Sequence, residues 1–340
     1  MAETHIRPSY ENNITESYML CLSFNQDDTC FVYGSDHGFC VFSTNGFKQL
    51  ISRKLPGGVK IVEMIRRSNI FALVGGGSQP AYPPNKVILW DDYSSRIVRE
   101  LTFQRSVLNV KLSDKRIYVV LRDSIWIYEL ENPKLVGKIS TIDNPKGLFS
   151  ISQDGERMAY PIGDVGELAI QNIQEHFAET RTTRIKAHQG DLVCISLSRD
   201  GSLIATASSK GTLIRVFKTA TGESLNEFRR GIESAEIYGL FFDQQNTRLA
   251  CSSNRGTVHV FALTSGPTPQ VSSVFSYLKN VAPGYLNSKW SFKQFYLPTC
   301  RNVCGFSDDS LIVLTYEGHY FRLNVDDHKE SGQFVTQSGT

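Results

Sequence analysis

The chain has no long hydrophobic run. No stretch of its 340 residues approaches the roughly 18 apolar residues of a membrane span, and the amino terminus, Met1-Ala2-Glu3-Thr4-His5, carries neither a signal peptide nor a myristoylation pattern. A cytoplasmic chain whose membrane contacts are peripheral is expected. Cysteine is sparse and unpaired in pattern: the seven (Cys21, Cys30, Cys40, Cys194, Cys251, Cys300, Cys304) are odd in number and mostly lie in apolar strand-like segments, as buried free thiols in a reducing compartment would. Cys300 and Cys304 lack the paired spacing and histidine company of a zinc site, so no metal is expected. Charge of one sign is also scarce. A net +2 argues against a nucleic-acid binder steered by a whole-protein field. Gly75-Gly76-Gly77 is not followed by the Lys-Ser/Thr of a phosphate-binding P-loop, and His188 and Asp191 have no nucleophile elbow near them. Neither catalysis nor a cofactor is expected.

Long amphipathic helix patterns are missing too. What recurs instead is short runs with period-two alternation, rich in aromatic and β-branched residues, between turn residues. With 41% hydrophobic and 11% aromatic residues the chain has ample material for a core, and it reads as all-β. The opening strands align on Leu20, Ile61, Val107, Leu148, Leu192, Ile237 and Val303, in steps of 41, 46, 41, 44, 45 and 66. A period of roughly 40 to 45 residues is that of a four-stranded propeller blade. The fifth unit shows it best: strands Asp191–Ser198, Ser202–Ser208, Thr212–Phe217 and Ser224–Phe228, joined at Arg199-Asp200-Gly201 and Ser209-Lys210-Gly211. It resembles a WD40 repeat, and the third strand of unit two ends in Leu89-Trp90-Asp91. A seven-bladed WD40-like β-propeller over residues 16–340, with four antiparallel strands per blade and a leader over 1–15, is expected. Each unit supplies its own four strands, ending with Gln333–Thr336. Ring closure then rests on packing between the first and last blades.

The charge that is present is concentrated. From Arg181 to Arg230 there are nine Lys or Arg against four acids, so a basic sector lies on a nearly neutral body. It ends in Phe228-Arg229-Arg230-Gly231. Adjacent residues ending a strand point to opposite sides, so Arg229 and Arg230 are either a solvated basic strand end or a pair serving two neighbouring anion pockets. A guanidinium holds phosphate oxygens bidentately and makes a poor base, so the chemistry suggested is binding. Placing the strands side by side brings His188, Thr206, Ser208, Lys210, Thr212 and Arg215 together near Arg229. In a WD40 blade the histidine is locked by an aspartate and a tryptophan; here those positions are Lys210 and Phe217, which leaves His188 either structural or free to donate to a phosphate, especially when protonated. Blade six repeats the theme in Ser252-Ser253-Asn254-Arg255-Gly256-Thr257-Val258-His259.

Phe228-Arg229-Arg230-Gly231, Leu213-Ile214-Arg215-Val216-Phe217 and the loop Gly75 to Val87 followed by Leu89-Trp90-Asp91-Asp92 are similar to the PROPPINs, seven-bladed propellers that bind polyphosphoinositides and are called WIPI proteins in animals. The resemblance covers essentially the whole chain, and the compact length is most like the small fungal homologue associated with swollen vacuoles and nuclear autophagy. It implies two rim sites for phosphatidylinositol 3-phosphate and 3,5-bisphosphate, and a role in autophagy at vacuolar, endosomal or preautophagosomal membranes. By resemblance, one site maps onto His188, Thr206, Ser208, Thr212, Arg215 and Arg229, the other onto Arg230, Ser252, Ser253, Thr257 and His259. Between Leu263 and Trp290 lies an insertion in blade six, in which Val271, Val274, Phe275, Leu278 and Ala282 form an apolar stripe at helical spacing. The stripe fits an ordinary buried helix or, as the resemblance implies, a membrane-inserting loop led by Val274, Phe275, Tyr277 and Leu278. The Pro-rich loop of blade two offers a place for an autophagy protein partner. An ordinary WD40 interaction scaffold is the rival reading, and a monomer without nucleic acid is expected in either.

Overall fold

Near-continuous burial along middle strands such as Ile70–Gly75 and Leu203–Ser208 gives each sheet two covered faces, and the chain covers both by stacking sheets side by side in a ring. The computed structural model describes residues 19–173, 181–263, 289–297 and 301–326. They form seven antiparallel sheets in chain order, with the opening strands Met19–Phe24, Val59–Met64, Asn109–Leu112, Ser150–Ile151, Leu192–Leu197, Ile237–Phe242 and Asn302–Ser307. These begin within two residues of the sequence-derived alignment. Blade seven has three strands among the described residues, and the expected fourth, Gln333–Thr336, lies outside them.

The core is seven separate clusters, one between each pair of neighbouring blades. Ala205, Ala207, Ile214, Val216 and Phe228 of blade five meet Leu240, Leu249, Cys251 and Phe261 of blade six. On its other face blade five turns Ile204 and Phe217 toward Ala159, Leu168 and Ile170 of blade four. The two faces of one blade therefore belong to two different interfaces.

The ring closes by packing, as the sequence suggested. Leu22, Phe31 and Phe42 of blade one cluster with Ile312, Leu314 and Tyr320 of blade seven, and the Tyr320 hydroxyl donates to the Thr44 carbonyl at 2.8 Å. A polar clasp adds to it. Asp28, in a left-handed turn of blade one (φ 54°), accepts from Arg199 Nη2 of blade five at 2.7 Å and from the Phe306 amide of blade seven at 2.9 Å. Burial pushes the Asp28 carboxyl up to about 6 despite the nearby Arg199 charge and the Phe306 amide.

Candidate functional site at the arginine pair

Blade five is built from Leu192–Leu197, Leu203–Ser208, Leu213–Lys218 and Ser224–Arg229. Its outer strand is set by Phe228, which is 1% exposed and stacks on Phe261 of blade six with ring centroids 4.7 Å apart. With Phe228 anchored on the blade-six side, its neighbours Glu227 and Arg229 belong to the opposite face, and Arg230 returns to the blade-six side. The register agrees: Arg215 pairs with both Thr206 and Glu227, and Leu213 pairs with Arg229. Neither arginine is a solvated strand end. Arg229 is 8% and Arg230 5% exposed.

On the blade-four side, His188 is buried and its Nε2 lies 3.0 Å from Thr206 Oγ1, which also donates to the Arg215 carbonyl at 3.3 Å. Arg215 donates through Nη1 to the Ala187 carbonyl at 2.6 Å and through Nε to Glu227 Oε2 at 2.9 Å. Ser208 and Thr212 flank the turn: the Ser208 carbonyl accepts from the Gly211 amide at 2.8 Å, and the Thr212 carbonyl from the Arg230 amide at 2.9 Å. Thus His188, Thr206, Arg215 and Arg229 share a face, with Ser208 at the same strand's end. Of the two readings left open for His188, the protonated donor does not fit this environment. Burial, then the Arg215 charge, lowers it to about 4, so at neutral pH it is an uncharged ring bonded to Thr206.

On the blade-six side, Arg230 Nε donates to the Gly211 carbonyl at 2.8 Å and Nη2 donates to the Glu233 carbonyl. Its third guanidinium nitrogen, Nη1, has no hydrogen-bond partner among the described residues. Gly211 makes this possible, because at φ 64° a Cβ would lie 1.9 Å from the Ala235 carbonyl oxygen. Facing Arg230 are Cys251, Ser253, Thr257 and His259, which share a face by alternation along Arg248–Ser253 and Thr257–Ala262. Ser253 Oγ is buried with no hydrogen-bond partner. His259 Nε2 lies 3.2 Å from Thr257 Oγ1, and burial, then the Arg230 charge, lowers this ring to about 4 as well. Ser252 is a correction. It alternates with Ser253 and points the other way, with Ala250 and toward Cys304 of blade seven, so it does not join Arg230.

Period-two reading could have found Glu227, two residues before Arg229 on the same face. A second omission had no sequence signal. The outer strand of blade five is not an edge, because Lys289–Trp290, at the return of the insertion, pairs with Phe228–Arg229 in parallel. Val274, Phe275, Tyr277 and Leu278 lie outside the described residues.

One strand thus carries arginines to both of its faces, and sequence comparison decides the family. The PROPPIN family model matches residues 18–333. This chain belongs to the PROPPIN family. It is 38% identical over 329 residues to "Autophagy-related protein 18e" of Arabidopsis thaliana, covering 93% of this chain and 86% of that protein. Among solved structures, Kluyveromyces lactis Hsv2 matches with a TM-score of 0.76 at 24% identity, covering 95% of this chain and 98% of that one. KlAtg21, solved in a complex with the coiled coil of AgAtg16, matches with a TM-score of 0.68 at 24% identity, covering 92% and 96%. These structural likenesses bear on the PROPPIN fold: a seven-bladed propeller.

Proposed function

We propose that this PROPPIN is a peripheral membrane protein that reads phosphatidylinositol 3-phosphate and 3,5-bisphosphate through two rim pockets, in autophagy or in vacuolar and endosomal traffic. The reading is carried by one observation: two adjacent arginines, both buried, lie on opposite faces of one strand, Arg229 on the face that carries the His188–Thr206 pair and Arg230 near His259 and Thr257. Buried guanidinium groups are costly unless charge or hydrogen bonds compensate them, and a phosphate supplies both. Catalysis is not part of the proposal.

Headgroup contacts are charge-assisted hydrogen bonds of roughly 1.5 to 3 kcal/mol each before the costs of association, so one pocket binds modestly. Two pockets on one rigid rim make the second contact intramolecular and raise avidity by about a hundredfold or more. Entry of Val274, Phe275, Tyr277 and Leu278 into the same leaflet belongs to this proposal. So does a protein partner on blade two, where Tyr93, in the turn before the outer strand Arg96–Thr102, is 91% exposed and Val98, on that strand, 53%. The related KlAtg21 is solved in a complex with the coiled coil of AgAtg16, which supports a protein partner of that kind.

Co-sedimentation with vesicles containing or lacking phosphatidylinositol 3-phosphate tests the core of it. The wild type should pellet with the lipid-bearing vesicles, and Arg229→Ala with Arg230→Ala should remain in the supernatant while keeping its β-sheet circular dichroism. A folded double variant that still pellets would sink the two-pocket reading and leave the ordinary interaction scaffold in its place.

A further inference from the structure

A neutral imidazole has one N–H and one lone pair, and the bond made at one nitrogen decides what the other offers. His259 lies between two hydroxyls. Its Nε2 is 3.2 Å from Thr257 Oγ1 and its Nδ1 is 3.1 Å from Ser291 Oγ. Ser291 Oγ also accepts from Gln294 Nε2 at 3.2 Å. An amide nitrogen only donates, so the Ser291 oxygen is an acceptor toward Gln294 and has its own proton to place. Nδ1 of His259 lies 3.1 Å from it and can accept that proton. Donation by Ser291 to Nδ1, as proposed below, places the ring proton on Nε2, on the side of Thr257; donation by Nδ1 to Ser291 is the opposite tautomer.

Ser291 is not placed by blade six alone. It follows Lys289–Trp290, which pairs in parallel with Phe228–Arg229, and precedes Phe292, whose amide donates to the Val260 carbonyl at 3.0 Å. Asn226, on the arginine strand and buried, ties both sides of the insertion. Its Oδ1 accepts from Lys289 Nζ at 3.0 Å and its Nδ2 donates to the Leu263 carbonyl at 3.3 Å. The strand that carries the arginines therefore also holds the residue that bonds His259.

We propose that Ser291, held over the second pocket by this parallel pairing, is a positioning residue that fixes His259 in the tautomer whose Nε2–H is offered to a bound phosphate. The inference rests on the reading that this pocket holds a phosphate. Burial and the neighbouring Arg230 charge keep the ring neutral at neutral pH, so a single proton has to be placed correctly. The unpartnered Ser253 hydroxyl and Arg230 Nη1 lie on the same face, where the same ligand would meet them.

The test uses the full chain labelled with nitrogen-15, with the His259 ring signals assigned by their loss in His259→Gln. The wild type should show a protonated Nε2 and an unprotonated Nδ1. Ser291→Ala should give a tautomer mixture and Ser291→Thr should restore the single form. Soluble inositol 1,3-bisphosphate is then titrated in an Arg229→Ala background, which isolates the second pocket, and in an Arg230→Ala background, which isolates the first. Ser291→Ala should weaken the second pocket roughly threefold to tenfold, the worth of one hydrogen bond, and leave the first unchanged. Asn226→Ala should act in the same direction through the loosened limb. A wild-type ring protonated on Nδ1, an unaffected Ser291→Ala, or an equal loss in both pockets would each overturn the proposal. Failure of the wild type to bind the headgroup at all sinks the functional reading together with the phosphate-donor role, whereas binding with an unaffected Ser291→Ala sinks only the role of Ser291.

Discussion

If Arg229 and Arg230 serve separate pockets, single substitutions should halve the binding of soluble headgroup instead of abolishing it. Arg230→Ala removes two hydrogen bonds to carbonyls, from Nε to Gly211 and from Nη2 to Glu233. The Glu233 side is exposed and its carbonyl gains water, while Gly211 is buried, so the stability cost is that of about one lost charge-assisted bond, roughly 1.5 to 3 kcal/mol. In binding, the loss of one or two guanidinium–phosphate bonds lowers affinity in that pocket by about 10- to 100-fold or more. Isothermal titration with inositol 1,3-bisphosphate should therefore fall from two equivalents to one for either single variant, and to none for the double variant. Urea unfolding run alongside separates the lost ligand contact from the lost carbonyl contacts. On vesicles each single variant should lose about a hundredfold, because the intramolecular second contact disappears. The reasoning is refuted if one single variant removes both equivalents while its unfolding midpoint stays within the cost given above, since the two arginines would then share one pocket.

Two further predictions concern the scaffold. The Asp28 carboxyl is raised to about 6 by burial, above its ordinary 3.8, so the native state holds its proton more tightly than the unfolded chain and the group's contribution to stability falls as pH rises from about 4 to about 6. Asp28→Asn, neutral throughout, should gain relative to the wild type over that interval in urea unfolding at the two pH values, and a relative loss would contradict the sign. Gly211→Ala puts a methyl group 1.9 Å from the Ala235 carbonyl oxygen at a positive φ, and should cost about 1 to 3 kcal/mol in urea unfolding while weakening headgroup binding in the second pocket, whose arginine bonds the Gly211 carbonyl.

The sequence made the ring legible because a propeller repeats its signal: strand period, turn residues and spacing recur, so an error in one blade is corrected by the next. Closure between blades one and seven followed from the count of strands. The arginine pair was legible for a local reason. Period two fixes opposite sides whatever the register, and Phe228 decides which side is which. Ser252 was misplaced by the same rule, because two adjacent serines cannot both face Arg230 and the sequence has no aromatic anchor there to choose between them. His188 was left open in the sequence because its burial depends on Thr206 and the Ala187–Arg215 bond, partners from separate segments. The parallel pairing of Lys289–Trp290 has no sequence mark at all. Two residues returning from an insertion carry no periodicity.

The divided strand also explains why two adjacent cations are tolerated in a buried place. Side by side in one pocket, two guanidinium groups would repel each other in a medium of low dielectric and leave one of them poorly compensated. The core side chain of Phe228 prevents this, since it commits one face of the strand to the blade-six interface and forces the flanking residues apart. Arg229 then belongs with Arg215, whose charge is already answered by Glu227, and Arg230 belongs with the carbonyls of Gly211 and Glu233. Each face keeps one arginine beyond an ion pair: Arg229 beside Arg215–Glu227 on the blade-four side, and Arg230 near Arg255–Glu233 on the blade-six side. If both faces hold headgroups as proposed, an anion on either side meets one arginine next to an ion pair, so the two single-arginine variants should bind soluble headgroup with dissociation constants within about tenfold of each other, and a wider gap would show that something besides charge separates the sites.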